Sequence, residues 1–192
     1  MDGARPARWY ESRPGRWLAE PSWPSPNVAS QTMALGAGRL GQAGAFSQTL
    51  SSPQDCGMDG GEFCAIWLGP EMPGDQRRDD AMSVCFDSGP LAQTDILGAP
   101  VLTLRLAVDK PMAQIAVRLN HVHPDGAATR ITWGVLNLTH RDGHANPRPM
   151  VPGQEYEVRV SLDHIAYRLP AGHRLRVAVA SNYWPMLWPM PD

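Results

Sequence analysis

From Met82 onward, apolar side chains recur at every second position in run after run. Leu102, Leu104, Leu106 and Val108 alternate with Val101, Thr103, Arg105 and Ala107. Ala113, Ile115, Val117 and Leu119 alternate with Gln114, Ala116 and Arg118; Tyr156, Val158, Val160 and Leu162 with Glu157, Arg159 and Ser161; Leu175, Val177 and Val179 with Arg174, Arg176 and Ala178. A period of two puts one set of side chains on one face of a pleated strand, so each run predicts a strand with a single buried face. Turn residues separate the runs at Gly98-Ala99-Pro100, Pro124-Asp125-Gly126, Pro152-Gly153 and Pro170-Ala171-Gly172. No segment carries an amphipathic helix of useful length. Short half-buried strands at this spacing predict an all-β fold, a sandwich or jelly roll.

The firmest local prediction is a hairpin around Pro124-Asp125-Gly126, with strands over 113–123 and 128–139. Proline presets φ, Asp125 bonds back to the backbone, and Gly126 takes a positive φ. Trp133 falls in phase with Ile131 and Val135, which predicts a core indole.

The first 80 residues read differently. Residues 1–30 are rich in Pro, Arg and Trp, show no period, and place Trp9, Trp17 and Trp23 where no local core exists. Those indoles must lie on the rest of the chain or on a neighbour. A short strand is expected at 31–35, and a sandwich domain over 31–192. Within it, residues 53–80 form a long irregular loop with turn signals at Gly60-Gly61 and Pro73-Gly74 around an apolar island at 63–68. Loops of that length inside compact domains are uncommon and often functional. Phe63, Ile66 and Trp67 are its candidate cleft-facing residues, and Trp9, Trp17 and Trp23 are candidate interface residues.

Charge excludes several classes. The net charge is −2 over 192 residues, with Lys110 the single lysine, so no electrostatic footprint for nucleic acid or an anionic membrane exists. No apolar run approaches the roughly 20 residues that cross a bilayer. The N-terminal residues lack the apolar stretch of a secretory signal. Cys56, Cys64 and Cys85 are too few for a disulfide framework. Cys56 and Cys64 bracket a Gly-rich loop and can pair under oxidising conditions, but free thiols and a cytoplasmic location are the expectation.

Several ordered segments carry a resemblance. HPDGAATRITWGVLNLTHR at 123–141, VPGQEYEVRVSL at 151–162 and LPAGHRLRVAVAS at 169–181 resemble the hairpin and strands of one family. RPGRWLAEPSWPSP at 13–26 and DSGPLAQTDILGAPVLTLRLAVDKP at 87–111 are similar to its connecting segment and opening strand pair. That family is the C-terminal β-sandwich of X-Pro dipeptidyl-peptidases and cocaine-esterase-like (CocE/NonD) serine acyl hydrolases. The resemblance implies a galactose-binding-like jelly roll attached to an α/β-hydrolase domain that carries a Ser-Asp-His triad. It also implies further strand beyond residue 192, so the sandwich is expected to be truncated there. No serine here sits in a G-x-S-x-G elbow, so no catalytic residue is assigned to this chain and hydrolysis is assigned to the parent.

Other constellations have bland readings. His121 and His123 share a strand face, and His140 and His144 are the obvious candidates to complete a metal site with them. Hairpin pairing sets the two pairs about 30 Å apart for nine or ten residues, so no metal is expected. His173 is read as fixing its turn by bonding a carbonyl. Asp163 and His164 are neighbours on a strand and point apart. Glu71, Asp75, Asp79 and Asp80 suggest calcium, but interleaved Arg77 and Arg78 favour internal ion pairs. The resulting expectation is a non-catalytic domain that buttresses a hydrolase and helps shape its cleft, with no cofactor, and with a homodimer when isolated. A carbohydrate-binding module or a structural, oligomerising domain are the competing classes.

Overall fold

The computed structural model describes residues 19–62 and 71–190. Among them are ten strands: β1 Leu35–Gly36, β2 Arg39–Leu40, β3 Val84–Asp87, β4 Thr94–Gly98, β5 Val101–Leu106, β6 Gln114–Val122, β7 Ala128–Asn137, β8 Tyr156–Ser161, β9 Ile165–Leu169 and β10 Arg174–Ala180. The α-helical element α1, Arg77–Ala81, is five residues long. The fold is all-β, as the alternation predicts.

Pairing is nested. β3 pairs with β10, β4 with β9, β5 with β8 and β6 with β7, all antiparallel. One long hairpin folded over on itself has this order, which is the wrapping of a jelly roll. The largest sheet runs β1-β2-β3-β10-β6-β7, and β4-β9 and β5-β8 form two further ribbons. Ile115, Val117 and Leu119 of β6 meet Val158 and Val160 of β8, Tyr167 and Leu169 of β9, and Leu175 and Val179 of β10 in one core. The Pro124–Gly126 hairpin forms as predicted. Gly126 has φ +88°, its N–H donates to the His123 carbonyl, and Asp125 Oδ1 accepts from Ala127 N.

Three expectations change. The first short strand lies at Leu35–Gly36, not 31–35, because the chain turns at once into β2 and Leu40 takes the core position. Strand β6 is buried on both faces: Ala116, Arg118 and Asn120 are as covered as Ile115 and Val117. Trp133 is not a core indole. A bulge between Leu119 and Asn120 pairs Leu119 with Thr132 and Asn120 with Arg130, leaving Ile131 as the extra residue. A bulge resets which face later residues occupy. Ile131 joins the core, while Trp133 pairs with Arg118 on the opposite face.

Candidate functional site

That opposite face of β6, β7 and β10 is covered by residues 53–62 and 71–80, and the cover is held by polar groups. Asp80 sits at the centre. Its Oδ1 accepts from Arg118 Nη2 and Asn120 Nδ2, each at 2.9 Å, and its Oδ2 accepts from Arg176 Nη1 at 3.1 Å. The Asp80 and Arg118 side chains are 2 % and 1 % exposed. Arg176 also grips Asp87, directly across the β10–β3 ladder, at 2.6 and 2.7 Å. Burial opposes the Arg118 charge, and Asp80, Tyr183 and Cys56 more than offset it, holding the guanidinium above its usual range. Arg118 lies over the Tyr183 ring at 5.4 Å, Arg130 over Trp133 at 5.5 Å, and Trp133 against Tyr183 at 5.4 Å. Arginine–aromatic stacking of this kind gains strength out of water.

The loop's own frame is equally specified. Asp79 accepts from Gly57 N at 2.9 Å and Asp59 N at 3.1 Å. Buried Gln76 donates to the Asp59 and Gly74 carbonyls, and its N–H donates to Ala128 O of β7. Trp184 N donates to Cys56 O, Ser52 Oγ to Met82 O, and Asn182 Nδ2 to Ser52 O. Glu62 N donates to Glu71 O at 3.0 Å, closing the base of the loop. The acidic residues thus serve internal contacts: Asp75 pairs with Arg77 at 2.8 Å and Arg78 with Asp55 at 3.0 Å. Cys56 and Cys85 are free thiols. Burial pushes both upward, Cys85 to about 12, so neither is a nucleophile at neutral pH.

Of the residues singled out from sequence, Trp9, Trp17, Phe63, Ile66 and Trp67 lie outside the described residues, as does Cys64. Trp23 is 73 % exposed among the described residues. Trp188, 79 % exposed, packs edge-on against Trp184 at 5.5 Å.

The two histidine pairs stand apart, as the hairpin register predicts, and a third histidine joins one of them. His140 and His144 pair with each other in the open, Nδ1 to Nδ1 at 3.0 Å. The partner of His121 and His123 is His173, whose imidazole bonds His121 rather than a turn carbonyl. The PDG turn and the Pro-Ala-Gly-His turn close the same end of the sandwich, which the pairing of Arg174 with Val122 enforces. Ser25 Oγ donates to the Glu20 carboxylate, Ser52 Oγ to Met82 O, Ser83 Oγ to Asp79 O and Ser88 Oγ to Gly89 O.

The sequence profile of the X-Pro dipeptidyl-peptidase C-terminal non-catalytic domain matches residues 1–192. The chain belongs to that family. Among relatives of this domain, the cocaine esterase of Rhodococcus sp. (strain MB1 Bresler) is 26 % identical over 191 residues, covering 88 % of this chain and 32 % of the esterase. An aminopeptidase from a marine sediment Thaumarchaeota archaeon shares the fold with a TM-score of 0.71 at 21 % identity, over 92 % of this chain and 32 % of that one. A CocE/NonD family hydrolase from Staphylococcus aureus does so with a TM-score of 0.63 at 15 % identity, over 87 % and 31 %. The non-catalytic domain spans about a third of the length of these proteins.

Proposed function

We propose that this chain is the accessory domain of a serine acyl hydrolase of the esterase or X-Pro peptidase type, and that it buttresses an α/β-hydrolase domain and helps wall its substrate cleft. The observation that carries the reading is the buried ion-pair network that locks residues 53–62 and 71–80 to one face of the sheet, which fixes both flanks of the segment that bears Phe63, Ile66 and Trp67. A preorganised frame is what a cleft wall requires, because a loose one loses its geometry when substrate binds. The exposed Trp23 and Trp188 support a docking face, since indoles are favoured at interfaces and solvent contact leaves their apolar area unburied. The parent chemistry would be acyl transfer to a serine outside this chain, followed by attack of water. The two free thiols support a reducing compartment such as the cytoplasm.

The test has two arms. The isolated chain is expected to turn over neither a p-nitrophenyl acyl ester nor an X-Pro chromogenic amide; turnover abolished by mutating one of its own serines would overturn the assignment. In the intact enzyme, Trp67→Ala is expected to change relative kcat/KM across a substrate panel more than it changes Tm. Unaltered preference would remove this loop from the cleft.

A further inference from the structure

The histidine cluster at the turn end of the sandwich plays no part in the reading above. His121, His123 and His173 each offer a ring nitrogen, and the three nitrogens lie within 4.8 Å of one another. His121 is fully buried, while His123 and His173 are half-buried at the edge. The hydrogen bonds around them resemble the outer contacts of metal-binding imidazoles. His121 Nδ1 is bonded to Tyr167 Oη at 2.7 Å, which turns Nε2 toward the cluster. His123 Nε2 is bonded to Thr129 Oγ1 at 3.1 Å, so the nitrogen it can turn inward is Nδ1. On two of the three rings an outer hydroxyl engages the nitrogen that faces away from the cluster, as second-sphere partners of ligating histidines do. His121 Nε2 and His173 Nδ1 are 2.5 Å apart, so both nitrogens point at the same spot.

We propose that His121, His123 and His173 form a binding site for a divalent d-block cation, Zn²⁺ foremost, that clips the β6–β7 turn to the β9–β10 turn. The ion takes the place of the hydrogen bond between His121 and His173, and the histidine that donated it shifts its proton to its other ring nitrogen. With Zn–N bonds of about 2.0–2.1 Å, tetrahedral ligands sit about 3.3 Å apart, so those two rings separate slightly. His123, stacked on His121 at 4.0 Å, rotates off the stack to supply the third bond. Both moving residues belong to turns at the solvent edge, and the buried His121 stays as the anchor. Three neutral imidazoles without a carboxylate select zinc, copper, nickel or cobalt over calcium and magnesium. The fourth position is left to water.

The test is a titration of the tag-free, chelator-treated chain with Co²⁺, followed by displacement with Zn²⁺. The expected result is one equivalent bound with the intense visible absorption of a tetrahedral site, bleached by Zn²⁺, and a Tm that rises with Zn²⁺ concentration. His123→Gln and His173→Gln, both at the accessible edge, are each expected to weaken Zn²⁺ binding at least about tenfold, and Tyr167→Phe by about tenfold through loss of the second-sphere bond. The doubly substituted His140→Ala/His144→Ala chain removes the exposed pair and should bind as before. Loss of binding in that chain, binding unaffected by His123→Gln and His173→Gln, or no binding tighter than about 100 μM would each overturn the proposal.

Discussion

Replacing Asp80 by alanine tests whether the loop is locked from beneath. The carboxylate lies at 2.9 Å from both Arg118 Nη2 and Asn120 Nδ2 and at 3.1 Å from Arg176 Nη1. Its loss falls unequally on the three partners. Arg176 is 20 % exposed and keeps both bonds to Asp87, so its share is small, about 0–1 kcal/mol. Arg118 is 1 % exposed; its Nε and Nη1 have no hydrogen-bond partner among the described residues, so the guanidinium would retain Ser83 and the Tyr183 ring but no ion pair. Stranding a buried charge costs about 3–5 kcal/mol, a large part of the stability of a domain this size. Arg118→Met should cost less, about 1–3 kcal/mol, because Asp80 keeps Arg176 and Asn120. Urea unfolding of the two single variants and the double variant gives the coupling, expected at about 2–3 kcal/mol. A cost for Asp80→Ala below about 1 kcal/mol, or the same cost with methionine at position 118, would show that the network does not hold the loop.

Burial lowers the His121 pKa from 6.5 to about 3, so the unfolded chain takes up the proton first. The associated stability is fully present above about pH 6.5 and falls by about 2–3 kcal/mol on the way to pH 4.5; this slope should disappear from the urea midpoints of His121→Gln. Gly57 has φ +112°, and a Cβ there would lie 2.5–2.7 Å from the backbone of residues 183 and 184. Gly57→Ala is therefore expected to cost about 2–4 kcal/mol, with amide exchange in 53–62 rising ahead of the strands; uniform exchange would contradict it. The exposed Trp23 and Trp188 predict that the isolated chain self-associates, a concentration-dependent mass by light scattering that Trp188→Ser reduces. A constant monomer mass would remove that expectation.

Much of the sandwich was legible because alternation is local. Strands β5, β6, β8 and β10, and the turn at Pro124-Asp125-Gly126, follow from residues within a few positions of one another. The double burial of β6 was not, because Arg118 and Asn120 alternate as a solvent face does, and only Asp80, some 40 positions away in sequence, tells them apart. A single inserted residue, Ile131, moved Trp133 to the other face, and nothing in the run Arg130–Val135 marks the bulge. The histidines failed for the same reason. His173 reaches His121 through the β10–β6 ladder, a pairing between distant segments, whereas His140 and His144 were nearer in sequence and drew the comparison instead.

If these residues assist a hydrolase without performing its chemistry, active-site labelling will find the reactive serine elsewhere. The intact enzyme to which this domain is proposed to belong would be treated with a fluorophosphonate, digested, and mapped by mass spectrometry. One modified serine is expected, outside residues 1–192, with no labelling of the isolated chain. A modified serine within residues 1–192, formed at a comparable rate and lost on unfolding, would contradict it.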